Sequence, residues 1–348
     1  MIVFFAPRPY EFHYELPIIK KTGGLLLTTS PWVGGKAEQN KIEWMYGGLK
    51  ELQKYNDREN KIILARHIRR LPQKAKCIQI FHGLIEKNYT YEKIHFKSQY
   101  SIFFWISYLL ENSPIKKLSP LNKESPFHFI ENKMKDRYEL ICVPGPYAER
   151  KLNENGLLKE GKWIRAGVPK LDKLKRGKAK NEILYAPTWG KLSSIPYSLK
   201  IFEIAREYGI DIVFKPHPLV IEYNQFSNIL KKLSIYDAIF VDAYEDATKY
   251  MPSSLALITD YSSVGVEYLA IDRPIILLHF KEAKGKAEKL LRKAAEVIKK
   301  PEQIEKVIEK IIDGKDEKKK EREELRKLFF YFLDGKASER VAKAIKEL

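Results

Sequence analysis

Cysteine is nearly missing from these 348 residues: only Cys77 and Cys142 occur, far apart and in no zinc or redox spacing. The pair predicts two reduced, buried thiols with no part in a mechanism. Long hydrophobic runs are missing too. The longest, IFFWISYLL at 102–110, is half the roughly 18 residues that a bilayer span requires. The opening MIVFFAPRPYEFHYELP shows no charged region followed by a small-residue cleavage site, so the expected location is cytoplasmic.

Missing motifs exclude whole chemistries. No G-x-x-x-x-G-K-[ST] occurs, Gly34-Gly35-Lys36 being a fragment of one, and no G-x-G-x-x-G; P-loop and dinucleotide chemistry are not expected. G-x-S-x-G is absent, which leaves a hydrolase nucleophile without a home. No Asp-x-Asp and no His/Cys/carboxylate cluster has metal spacing, so the sequence predicts neither a metal nor a cofactor. Any diphosphate charge must then be met by amides, hydroxyls, Lys, Arg or His.

At roughly 150 residues per domain the length suggests two domains, and 44% hydrophobic residues supply two cores. Lys and Arg number 63 against 45 Asp and Glu, a net charge of +18. That field draws phosphates, nucleic acid or anionic lipid without choosing among them. The basic residues are spread along the chain rather than gathered in an aromatic-laced stripe, which argues against nucleic acid. The Asn88-Tyr89-Thr90 triplet matches a glycosylation sequon, a pattern common by chance.

The second half alternates short apolar runs with helix-compatible gaps: 183–187, 211–216, 238–242, 255–260 and 274–279. Runs at 2–6, 25–29, 62–65, 76–81, 139–144 and 162–167 make a similar series in the first half. Such alternation predicts parallel sheets covered on both faces. The Lys-rich stretch GVPKLDKLKRGKAKNE at 167–182 is the expected boundary. Ile304, Val307, Ile308 and Ile311 follow helical spacing, with Gly314 as the stop. KDEKKKEREELRK, which follows, reads as a solvated helix face.

Each strand of the second half ends in polar or special residues: Pro187-Thr188-Trp189, Lys215-Pro216-His217, Asp242, and Asp260 to Ser263. Ligands bind outside the carboxyl ends of strands in open parallel sheets, so these residues should share a rim. Lys215 and His217 suit a phosphoryl group, Thr188 offers a hydroxyl, Trp189 a stacking surface. Ser262 and Ser263 begin a helix whose first amides either are capped or face an anion. Glu267, a turn later, points back to the same rim. His82, after the apolar run in Ile80-Phe81-His82-Gly83, is a candidate base. Taken singly, each has a structural reading as well: a turn histidine for His82 and His217, a packing Trp189, helix caps at Asp260 and the serines, a salt-bridged Glu267.

Together the stretches FHG (81–83), GVPKLDKL (167–174), ILYAPTW (183–189), KPHP (215–218), LITDYSSVGVEYLAIDRPIILL (257–278) and DGKASERVAKAI (334–345) resemble the CDP-glycerol glycerophosphotransferase family, the polymerases and primases of teichoic acid synthesis. The likeness covers roughly residues 77 to 345. It implies a GT-B α/β architecture, two Rossmann-like domains facing across a cleft: 1–170 on the acceptor side, 171–320 binding the nucleotide donor, and 321–348 as C-terminal helices returning to the first domain. The implied reaction moves an alcohol phosphate, glycerol phosphate or similar, from a CDP-alcohol donor to a hydroxyl of a lipid-linked or polymeric acceptor, releasing CMP. An enzyme of this kind would work at the inner face of the membrane, where an anionic surface is an expected partner.

Carried over residue by residue, the likeness makes His82 the base on the acceptor hydroxyl. His217 would stabilise the diphosphate, Ser262 and Ser263 would bind it, and Thr188 and Asp260 would complete the donor site. Three departures stand out: FHG replaces WHG and Leu84 to Lys87 differ from the usual Thr-containing run; Gly190 stands where an Arg often follows; Glu267 replaces the usual Asp. The chemistry agrees, since hydroxyl attack on the distal phosphorus builds charge on the leaving phosphate that hydroxyls and a protonated His offset. The main alternative is a GT-B nucleotide-sugar glycosyltransferase or epimerase, which would share this rim.

Overall fold

The computed structural model describes residues 1–66, 68, 71–81, 137–236, 238–279 and 286–348. His82, the sequon at Asn88 and the apolar run at 102–110 lie outside them.

Two all-parallel sheets follow one another. The first, of seven strands, has the order β3-β2-β1-β4-β5-β6-β7. Its strands are β1 (Ile2–Phe5), β2 (Leu25–Thr28), β3 (Trp44–Tyr46), β4 (Lys61–Leu64), β5 (Lys76–Ile80), β6 (Leu140–Val143) and β7 (Trp163–Arg165). The second has six, β10-β9-β8-β11-β12-β13: β8 (Glu182–Ala186), β9 (Asp211–Phe214), β10 (Ile239–Phe240), β11 (Ala256–Thr259), β12 (Ile275–Leu278) and β13 (Glu296–Ile298). Each sheet reverses its strand order once, at β1/β4 and at β8/β11. The apolar runs appear as strands in both halves; β3 and β13, WMY and EVI, are three residues each and lie outside those runs.

Burial on both faces explains the unbroken apolar strands. Ile183 and Tyr185 face one core of the second sheet, Leu184 and Ala186 the other. In the first sheet, Phe4, Ile63 and Ile78 face a layer formed by α1 (Pro9–Thr22), α2 (Pro31–Gln39) and the C-terminal helix, while Val3, Ile62 and Cys77 face the opposite side. Both cysteines are buried.

The remaining helices are α3 (Leu49–Leu52), α4 (Pro146–Glu154), α5 (Ser198–Glu207), α6 (Pro218–Glu222), α7 (Ser227–Leu233), α8 (Val264–Tyr268), α9 (Lys286–Leu291), α10 (Ile304–Ile312), α11 (Lys319–Phe329) and α12 (Ala337–Glu347). Ile304, Val307, Ile308 and Ile311 of α10 enter the second core, as their spacing requires. No described helix is long and apolar enough to cross a membrane.

One departure concerns α11, expected to be solvated. Arg322 is buried to 1% exposure, between Asp316 and Asp272, and Leu325 and Phe329 are buried beside it. A guanidinium taken from water needs such paired carboxylates.

After α11 the chain returns to the first domain, where Val341 and Ile345 of α12 pack into its core. Asp172 holds that helix: its carboxylate accepts the amides of Ala337 (2.8 Å) and Ser338 (2.7 Å) and the Ser338 hydroxyl. GVPKLDKL and DGKASER, distant in sequence, therefore meet as a helix cap.

Candidate active site

The carboxyl ends of β8, β9 and β11 converge where the second sheet reverses its order, and Asp260 ties the end of β11 to the loop after β8. One oxygen accepts the Thr188 amide at 2.7 Å; the other accepts the Ser194 amide and hydroxyl, both at 2.8 Å. Asp260 is 1% exposed. Burial pushes its carboxyl up to about 6 against the pull of these donors. Both oxygens serve the loop after β8, which gives Asp260 the geometry of an organiser of the site.

The same loop is tied to the next. Gly190 donates its amide to Gln225 Oε1 at 2.9 Å and holds φ +74°. A side chain at that position would be strained, a physical reason for glycine there.

His217 begins α6, and its Nδ1 accepts the Leu219 amide at 3.1 Å. In the neutral ring Nε2 is therefore the protonated nitrogen, a donor in either charge state. Trp189 lies beside this imidazole, ring centroids 6.3 Å apart, and beside Tyr223 at 5.9 Å.

Lys215 is buried and donates to the carbonyls of Ala243 (2.7 Å) and Pro216 (3.3 Å). It thus fixes the loop that presents His217. Burial first, then Lys170, lowers its ammonium to about 8.

At the serine turn, Ser262 Oγ accepts the Val264 amide at 3.4 Å, and Ser263 makes no side-chain cap. Capping accounts for one serine only.

Glu267 takes the salt-bridged one of its two sequence readings. Both oxygens are engaged, Oε1 by the Tyr14 hydroxyl of α1 at 2.6 Å and Oε2 by the Lys170 ammonium at 2.8 Å. Lys170 also meets Asp246 at 3.1 Å. Burial alone would lower the Lys170 ammonium, but Asp246 and Glu267 outweigh it and raise it above its usual range.

The first domain reaches this rim at further points. Arg8 pairs with Glu222 at 2.7 Å, Lys36 with Glu245 at 2.9 Å, His13 Nε2 meets the Tyr244 carbonyl at 2.8 Å, and Trp32 donates to Asp242 at 3.2 Å. Sequence reasoning singled out none of Tyr14, Lys170, Ser194 or Asp246. Only Lys170 stood in a quoted motif; the others are ordinary residues until the two domains are brought together.

Two parallel-sheet domains, with a polar rim at the reversal point of the second, define a GT-B-type scaffold. The chain belongs to the CDP-Glycerol:Poly(glycerophosphate) glycerophosphotransferase family, whose model matches residues 70–347, and it is an enzyme of that class. A structure of the wall teichoic acid polymerase TagF resembles it at a TM-score of 0.68 and 16% identity, over 100% of this chain and 88% of that one. A TagF structure obtained with CDPG gives 0.67 and 17%, over 99% and 88%. UDP-GlcNAc 2-epimerase from Neisseria meningitidis, bound to UDP-GlcNAc, gives 0.58 and 11%, over 100% and 99%. No curated protein sequence matches significantly.

Proposed function

We propose that this enzyme transfers glycerol phosphate from CDP-glycerol to a hydroxyl of a glycerophosphate polymer or lipid-linked acceptor, releasing CMP. The observation that carries this reading is the Asp260 bridge, which gathers the loops after β8 and β11 at the point where open parallel sheets bind ligands. Around it, Thr188, Ser262, Ser263 and the Nε2–H of His217 supply neutral or cationic donors for a diphosphate. Lys215 and Asp260 hold the loops that present them.

In the proposed reaction the acceptor hydroxyl attacks the distal phosphorus while the P–O bond to CMP breaks. His217 donates toward the leaving phosphate. His82, outside the described residues, takes the role the family resemblance implies and accepts the hydroxyl proton.

The net charge of +18 supports peripheral attachment to an anionic membrane surface at the cytoplasmic face, where a lipid-linked acceptor would be met. Sedimentation with anionic but not neutral liposomes is the expected result; equal sedimentation removes that attachment.

CMP release from CDP-glycerol in the presence of a glycerophosphate oligomer tests the reaction itself. Turnover with UDP-sugars and none with CDP-alcohols would overturn it.

A further inference from the structure

Three parts of the chain contribute to one buried charge cluster. Tyr14 comes from α1 of the first domain. Lys170 comes from the 3₁₀ turn Pro169–Leu171, between the two sheets. Asp246 and Glu267 come from the second domain, Glu267 on the helix that the Ser262-Ser263 turn begins. The side chains of Lys170, Glu267 and Asp246 are 9%, 8% and 11% exposed. The Lys170 ammonium also lies 5.1 Å from the Tyr14 ring centroid, a cation–π distance.

Buried charges are held in register by their partners, since separating them leaves one uncompensated. A cluster of this kind at a joint therefore favours one relative placement of the bodies it connects. Here the bodies are the acceptor-side α1, the connecting turn and the helix next to the serine turn.

We propose that Tyr14, Lys170 and Glu267 are positioning residues that set the distance between the serine turn and the acceptor-side domain. Glu267 then acts through placement of the turn and does not touch the donor. This rests on the reading of the serine turn as the diphosphate site; the interdomain spacing itself is testable without it.

The test uses the full chain with Tyr14→Phe, which removes one hydroxyl, Glu267→Gln, which keeps an acceptor, and the double variant. Paired spin labels on the exposed positions Lys20 and Lys232 report the interdomain distance. CMP release and calorimetric titration with CDP-glycerol report kcat and donor Kd separately.

Each single variant should broaden the distance distribution and lower kcat about tenfold, a typical scale for loss of one coupling between sites. Donor Kd should stay within about twofold, and the double variant should fall short of the product of the singles. An unchanged distance distribution in Tyr14→Phe overturns the proposal. So does a Glu267→Gln variant that loses donor affinity in step with kcat/KM while Tyr14→Phe is silent, because that marks direct donor contact. If the wild-type enzyme released no CMP from CDP-glycerol, the donor reading would fail, and the distance measurement would still decide this inference.

Discussion

Asp260 receives both the amide and the hydroxyl of Ser194 on one oxygen, each at 2.8 Å, across 66 residues of sequence. With the Thr188 amide on its other oxygen, every polar contact is a donor aimed at an acceptor. Asp260→Asn turns one acceptor into an NH2 facing such a donor. The expected loss is about 1–3 kcal/mol of stability, together with most CMP release, read by urea denaturation and assay. A fully stable, fully active variant would remove the organising role.

His217→Ala should lower turnover on the order of a hundredfold, with a smaller effect on stability because its cap serves a single turn. The Leu219 amide on Nδ1 also predicts the Nε2–H tautomer of the neutral ring, visible in its nitrogen-15 shifts. The opposite tautomer would contradict the proposed donation to phosphate.

Stability should depend on pH through Glu15. This carboxyl is fully buried on α1, accepts the Ala65 amide on Oε1 at 3.1 Å, and has no hydrogen-bond partner for Oε2 among the described residues. Burial, then the neighbouring Glu11, raises its pKa well above the usual 4.5, and Glu11 is itself pushed up to about 7, chiefly by burial. A raised folded pKa means stability that is full below the unfolded value and lost as pH rises toward the folded one. Relative to Glu15→Gln, the wild type should lose about 1.4 kcal/mol per pH unit above roughly 4.5. Parallel stability curves for the two proteins would refute this.

Gly145→Ala should loosen the returning C-terminal segment. A Cβ there would run into the backbone of Phe329 and Phe330, which cannot rotate away as a side chain can. The expected cost is about 1–3 kcal/mol, with faster proteolysis near residue 330. Unchanged proteolysis would show that the segment tolerates the shift.

Cys77 and Cys142 should resist thiol reagents in the native state and both react once unfolded. Burial raises the Cys77 thiol to about 12 and raises Cys142 as well, leaving almost no thiolate. Rapid labelling of the folded protein would mean that one of them is accessible.

Apolar runs bounded by turn residues carried the two parallel sheets, because strands buried on both faces must be apolar throughout. The polar strand ends carried the rim, because a parallel sheet brings its carboxyl ends together. Thr188, Lys215, His217, Asp260, Ser262 and Ser263 were legible in that way. Their division of labour was not: Asp260 and Lys215 hold loops, and a residue type does not state which neighbour its polar atoms meet.

Local pattern alone thus determined most of the strands, the amphipathic α10 and the composition of the rim, since periodicity and turn chemistry act over a few residues. Only the tertiary structure decided that Tyr14, Lys170, Asp246 and Glu267 form one cluster, that Arg322 is buried between Asp272 and Asp316, and that Asp172 caps α12. Each of these joins groups far apart in the chain, and the pairing of buried charges and orphan amides is settled by which surfaces the packed domains bring together.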